Sequence, residues 1–135
     1  MAQTTFISGT ASYRDVDLSF LPHPNTSDLR RKRDVEAVKQ SVTNLISTQR
    51  GERPFKPALG TRLFKYLFEP LDDITKTEIR REVITTLETY ESRVEVLKVD
   101  VTGERERNQL DITVHIKILA LNVEETVRST VKRLR

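Results

Sequence analysis

The chain has no cysteine and no tryptophan, and in 135 residues it holds only four glycines, five prolines, two histidines and 6% aromatic side chains. Each scarcity excludes something. Without cysteine there is no disulfide, no thiol nucleophile and no cysteine-held metal, which fits a protein kept in a reducing compartment. His23 and His115 lie far apart and in different kinds of element, so no metal-ligand spacing exists and no metal or cofactor is expected. The glycines are scattered, none opening a phosphate loop that ends in Lys-Ser or Lys-Thr, and no Ser or Thr stands in a nucleophile motif. No apolar run approaches the roughly 18 residues of a membrane helix. The start Met1-Ala2-Gln3-Thr4-Thr5 lacks the basic and apolar regions of a signal peptide, so the chain is expected to stay where it is made.

What remains is 36% hydrophobic and 32% charged, with a net charge of +3, the composition of one globular domain with a heavily charged surface. Residues 1–12, rich in Thr, Ser and Gly, read as a flexible arm ahead of that domain, which is expected to span 1–135. Arg30-Arg31-Lys32-Arg33 precedes a helical pattern at the end where the helix dipole favours anions, so the cluster is either solvated or wanted by a partner. A nucleic-acid module built on it and on Lys132, Arg133 and Arg135 is one reading, but no aromatic stacking motif accompanies it.

The periodicities give an α+β fold: three helices packed on a small antiparallel sheet with a C-terminal β-hairpin, and a last segment that periodicity alone leaves open. Val16, Leu18 and Phe20 alternate as in a short strand, which Pro22 and Pro24 end before the turn residues Asn25-Thr26-Ser27-Asp28. Val35, Val38, Val42, Leu45 and Ile46 follow helical spacing behind Asp34, a candidate N-cap. Pro54 and Pro57 hold the next stretch extended around Phe55, which is expected to pack as an anchor. Thr61 is placed to cap a short helix with the stripe Leu63, Phe64, Leu67 and Phe68, stopped by Pro70. A long helix follows with a capping box Thr75-x-x-Glu78, the stripe Ile79, Val83, Leu87 and Tyr90, and Lys76, Arg80, Arg81, Glu82 and Glu88 facing away. Leu97, Val99 and Val101 alternate in one strand, and Leu110, Ile112, Val114, Ile116 and Ile118 in the next, with a polar connection over 103–109 and His115 on the solvated face. For 123–135, Val123, Val127 and Val131 suit a helix, while Val127, Ser129 and Val131 among threonines suit a strand.

The most distinctive stretch is 51–93. It contains Gly51-Glu52-Arg53-Pro54-Phe55 with Pro57 and Gly60, then Leu67-Phe68-Glu69-Pro70-Leu71, then a helix closed by Tyr90-Glu91-Ser92-Arg93. This order resembles the baseplate wedge proteins of contractile tails, also called sheath initiators, found in phages and, as a relative, in type VI secretion baseplates. The resemblance runs from about Tyr13 to Leu134. The family closes its long helix with Tyr-Glu-Pro-Arg, and here Ser92 stands third, which leaves the corner less rigid than proline would. The opening Tyr13-Arg14-Asp15-Val16-Asp17-Leu18 looks more like phage members than like other contractile machines.

The resemblance implies a structural role without catalysis, in the virion tail baseplate after assembly in the host cytoplasm. It implies docking on the wedge core through Tyr90, Glu91 and Arg93, several copies in a six-fold baseplate, and no nucleic acid or membrane partner. It also implies a C-terminal strand whose edge, at Thr126, Val127, Arg128, Thr130, Val131 and Lys132, meets the first ring of tail sheath protein by strand addition. Glu91 and Arg93 are two apart, so a helix face cannot pair them, and at an extended corner they are available to a partner. Some family members carry a lysozyme label, and a glycosidase needs one carboxyl with a raised pKa. Glu52, Glu69 and Glu91 each stand near Arg or Pro instead, and a neighbouring Arg shifts a carboxyl the opposite way.

Overall fold

The computed structural model describes residues 14–16, 31–104 and 109–132, without the side chains of 14–16, 31–33 and 104. The expectations for the N-terminal arm, for Leu18 and Phe20, for the turn at 25–28 and for Arg133 lie outside the described residues. A two-stranded pair, β1 (Arg14–Val16) and β2 (Arg31–Arg33), is antiparallel with Asp15 opposite Lys32. The backbone of Arg31, Lys32 and Arg33 in the basic cluster is therefore paired strand.

Helix α1 (Val35–Ser47) buries Ala37, Val38, Val42, Leu45 and Ile46, so four of the five predicted stripe positions are buried, Ala37 joins them, and Val35 at the first turn is only half-buried. Asp34 stands before it at φ 52° and makes no side-chain cap, its carbonyl instead accepting from Val38 N at 3.2 Å. The positive φ turns the chain out of β2, and in that conformation the carboxylate does not reach the first amides.

Helix α2 (Leu63–Tyr66) is one turn long and buries Leu63 and Tyr66. The bonds Leu67 N to Phe64 O, Phe68 N to Lys65 O and Glu69 N to Tyr66 O reach back three residues, so positions three apart share a face. That is why Tyr66 turns inward while Phe68 is 66% exposed, against the four-residue spacing of the predicted stripe. Thr61 caps nothing here, because its hydroxyl donates to Ile46 O at 3.0 Å.

Helix α3 (Asp73–Tyr90) starts three residues earlier than a Thr75 cap would allow. Asp72 is the N-cap, its Oδ1 accepting from Thr75 N at 2.7 Å, and the Thr75 side chain is buried in the first turn. Ile79, Val83 and Leu87 are fully buried as predicted, with Tyr90 at the margin.

Strands β3 (Val94–Glu104), β4 (Gln109–Ile118) and β5 (Val123–Lys132) form one antiparallel sheet in the order β3-β4-β5. The C-terminal segment is thus a strand, with Val127, Ser129 and Val131 buried. All five predicted inward positions of β4 are buried. On β3 the pairing shifts between Val96, opposite Ile116, and Lys98, opposite His115. The extra residue is Leu97, and this bulge moves the inward face from Val94 to Val99 and Val101, leaving Leu97 47% exposed. One sheet face packs on the helices, and their buried side chains make a single core. This is the expected α+β arrangement.

Candidate docking corner and sheet edge

Where α3 stops, Glu91 N still bonds Leu87 O at 2.8 Å, but its backbone has left the helix at φ −127° and ψ 80°. The corner turns the Glu91 side chain inward, to 4% exposure. Arg93 grips it with Nε on Oε1 and Nη2 on Oε2, both at 2.6 Å, and Ser41 of α1 donates to Oε2 at 2.5 Å. Two residues apart cannot pair on a helix, but across an extended corner both side chains fall on one side and close a bidentate pair. The sequence-based expectation that Glu91 stands available to a partner is therefore corrected: its carboxylate joins α3, β3 and α1. Burial by itself raises the Glu91 carboxyl, but the bonds from Arg93 and Ser41 and the Arg93 charge outweigh it and hold the group below the ordinary glutamate range.

Tyr90, by contrast, reaches sideways and donates to Ala58 O at 2.8 Å. It ties the corner to the loop between α1 and α2. That loop closes on itself through Thr61 N to Thr48 O and Arg50 N to Thr61 O, both 2.9 Å, and Gly51 N to Pro57 O at 2.8 Å. Gly60, at φ 106°, lies so close to Thr48 that a Cβ there would stand 2.4 Å from its carbonyl oxygen. Phe55 at the tip is 98% exposed, so the expected packing of this ring on its own core does not occur. The two fixed prolines and the backbone bonds hold it outward, and no hydropathy pattern carries that information.

The three carboxylates weighed for glycoside cleavage are not assembled. Glu52 accepts from Gln49 N at 3.0 Å, Glu69 is exposed, and Glu91 is locked to Arg93 with its pKa lowered, the wrong direction for a general acid.

The sheet has two outer strands. On β3, Arg80 Nε donates to Val99 O at 3.2 Å, so helix α3 covers part of that edge. The phase of β5 follows from one bond. Leu119 N donates to Arg93 O at 3.0 Å, so odd positions of β4 and its continuation turn their amides to β3, and even positions turn theirs to β5. Val114, facing Val127, then makes the hydrogen-bonded pair, and Val127, Ser129 and Val131 spend their amides on β4. Thr126, Arg128, Thr130 and Lys132 aim theirs outward, where no backbone partner is found among the described residues.

The six residues named for the edge thus divide. Val127 and Val131 belong to the core; Thr126, Arg128, Thr130 and Lys132 carry the outward main chain. Two of these exposed side chains are anchored from β4: Thr126 Oγ1 lies 3.1 Å from His115 Nδ1, and Thr130 Oγ1 donates to Asp111 at 2.7 Å. Beside the edge runs an open groove of about 650 Å³ between α1 and β5, lined by Val35, Lys39, Thr43, Glu125 and Val127 among others and bridged by Lys39 to Glu125 at 3.0 Å.

Three solved structures share this fold. A protein of Geobacter sulfurreducens described as a tail lysozyme matches with a TM-score of 0.66 at 23% identity, over 74% of this chain and 91% of that one. A chain of the anti-feeding prophage baseplate matches at 0.69 and 20%, over 79% and 86%. A chain of the pyocin R2 baseplate after contraction matches at 0.55 and 18%, over 90% and 100%. In sequence, the baseplate wedge protein gp25 of Enterobacteria phage T4 is 32% identical over 89 residues, 66% of this chain and 67% of the relative. The family described as baseplate wedge protein gp25 matches residues 32–123. On that match the chain belongs to the baseplate wedge protein gp25 family of contractile tails.

Proposed function

We propose that the chain is a non-enzymatic building block of a phage tail baseplate that starts the sheath by offering β5 to an added strand. The observation that carries this reading is the outer edge of β5, whose amides at Thr126, Arg128 and Thr130 have no backbone partner among the described residues. An edge of this kind supplies register-specific hydrogen bonds, and the adjoining groove between α1 and β5 receives inward side chains of the incoming strand. Arg128 and Lys132 along the edge oppose pairing with a second copy while admitting a neutral or acidic arm. The arm belongs to the first ring of sheath protein. On the other side the chain docks on the wedge core through the corner after α3, with exposed Tyr90 facing the partner and the Glu91–Arg93 pair holding the corner in shape. Six such chains occupy a six-fold baseplate in the virion.

The test is assembly with Arg128→Pro, which removes one outward donor and leaves the β4 ladder intact. The expected particle is a complete baseplate bearing a tube without extended sheath. Normal sheath on that baseplate would contradict the edge assignment.

A further inference from the structure

The loop over residues 51–60 is bound at several points, yet it holds its one aromatic ring away from the protein. Lys56 N bonds Arg53 O at 3.2 Å, Leu59 N bonds Lys56 O at 3.0 Å, and Tyr90 fastens Ala58. Pro54 and Pro57 remove two further backbone freedoms on either side of Phe55. A flexible loop would let the ring fold back onto apolar surface; this one cannot. The ordering cost of presenting it is met when the chain folds, which is what distinguishes an anchor residue from an incidental exposed one.

The charges around the ring are one-sided. Glu52 is engaged by Gln49 N, and Arg50 pairs with Glu82 at 3.5 Å. Arg53 and Lys56, the cations flanking Phe55, have no ion-pair partner among the described residues. We propose that Phe55 inserts into an apolar pocket of another baseplate protein whose rim carries carboxylates for Arg53 and Lys56. A second copy of this chain would bring the same cations against each other, and two cations around one ring suit a compact acidic rim better than a phosphate chain. Because Tyr90 joins the loop to the corner, this surface is continuous with the docking side and rests on the wedge reading given above.

The experiment places p-benzoylphenylalanine at Phe55, assembles tails in the producing cells, irradiates purified baseplates and identifies the adduct by mass spectrometry. The expected product joins this chain to a different baseplate protein, through a peptide with apolar residues beside Asp or Glu. An adduct with a second copy, nucleic acid or lipid, or no adduct from baseplates that contain the chain, overturns the proposal and leaves the wedge reading standing. Absence of the wild-type chain from purified baseplates overturns both. In parallel, Phe55→Ala and the pair Arg53→Glu with Lys56→Glu should melt like wild type yet lose at least about tenfold in incorporation when co-expressed with it. Equal incorporation of the well-folded variants contradicts the anchor.

Discussion

Arg93 holds Glu91 through one edge of its guanidinium, Nε and Nη2, at 2.6 Å on each carboxylate oxygen, and the pair is closed against α1 by Ser41. The corner that would be rigid with proline at position 92 is made rigid here by a partly buried ion pair. Removing one partner leaves the other charged and desolvated, so Arg93→Ala should cost on the order of 2–3 kcal/mol in urea unfolding. The double change Glu91→Ala with Arg93→Ala should cost less than the two single changes summed. Additive losses would show that the two side chains do not act as a unit.

The same pair sets an acid limit. The Glu91 carboxyl sits below its ordinary range in the folded chain, so its contribution is fully present above the unfolded value and is lost as pH falls through the folded one. Asp111, lowered by bonds from Thr130 and Gln109, adds in the same direction. Stability should therefore fall as pH drops below the ordinary carboxylate range, and Arg93→Ala should flatten that fall. An unfolding midpoint that is equally acid-sensitive in wild type and Arg93→Ala would remove Glu91 as its source.

Two glycines with positive φ separate strain from clash. Gly51 at φ 92° has open space around a built Cβ, whereas Gly60 at φ 106° has the Thr48 carbonyl there. Gly51→Ala should cost about 1–2 kcal/mol from the backbone conformation alone. Gly60→Ala should cost clearly more and should disturb the amides of Arg50 and Thr61 in NMR spectra, because the loop closure must open.

Proline scanning of β5 tests the derived phase. Arg128→Pro should leave the isolated chain close to wild-type stability, since that amide faces outward. Val127→Pro should cost about 3 kcal/mol or more, because it breaks the β4 ladder and disturbs the core. Reversed effects would mean that the even and odd positions have been exchanged.

The elements with strong periods were legible without coordinates. Leu110 to Ile118 alternates without interruption, and Ile79, Val83 and Leu87 hold one helical stripe, so β4 and α3 follow from period alone. Helix and strand periods coincided at Val123, Val127 and Val131, and there the family resemblance chose the strand. What escaped was local geometry that changes the period or depends on distant residues. The bulge at Leu97 switches faces in mid-strand, and the three-residue bonds of α2 bring Tyr66 inward. Asp72, three positions before the apparent capping box, takes the cap because it lies in extended backbone just ahead of the helix. The Glu91 pairing needed both a helix end that turns and Ser41, fifty residues earlier in the chain. Phe55 was read by its hydrophobicity, whereas two prolines and the loop bonds decide where it points.

The central claim is that β5 is completed by a strand from another protein. A near-atomic reconstruction of the assembled tail, examined at this chain, tests it most directly. The account predicts a sheath segment hydrogen-bonded along Thr126, Arg128 and Thr130, its inward side chains in the groove between α1 and β5. An assembled tail in which those amides face solvent, or in which the sheath contacts the β3 edge instead, would contradict it.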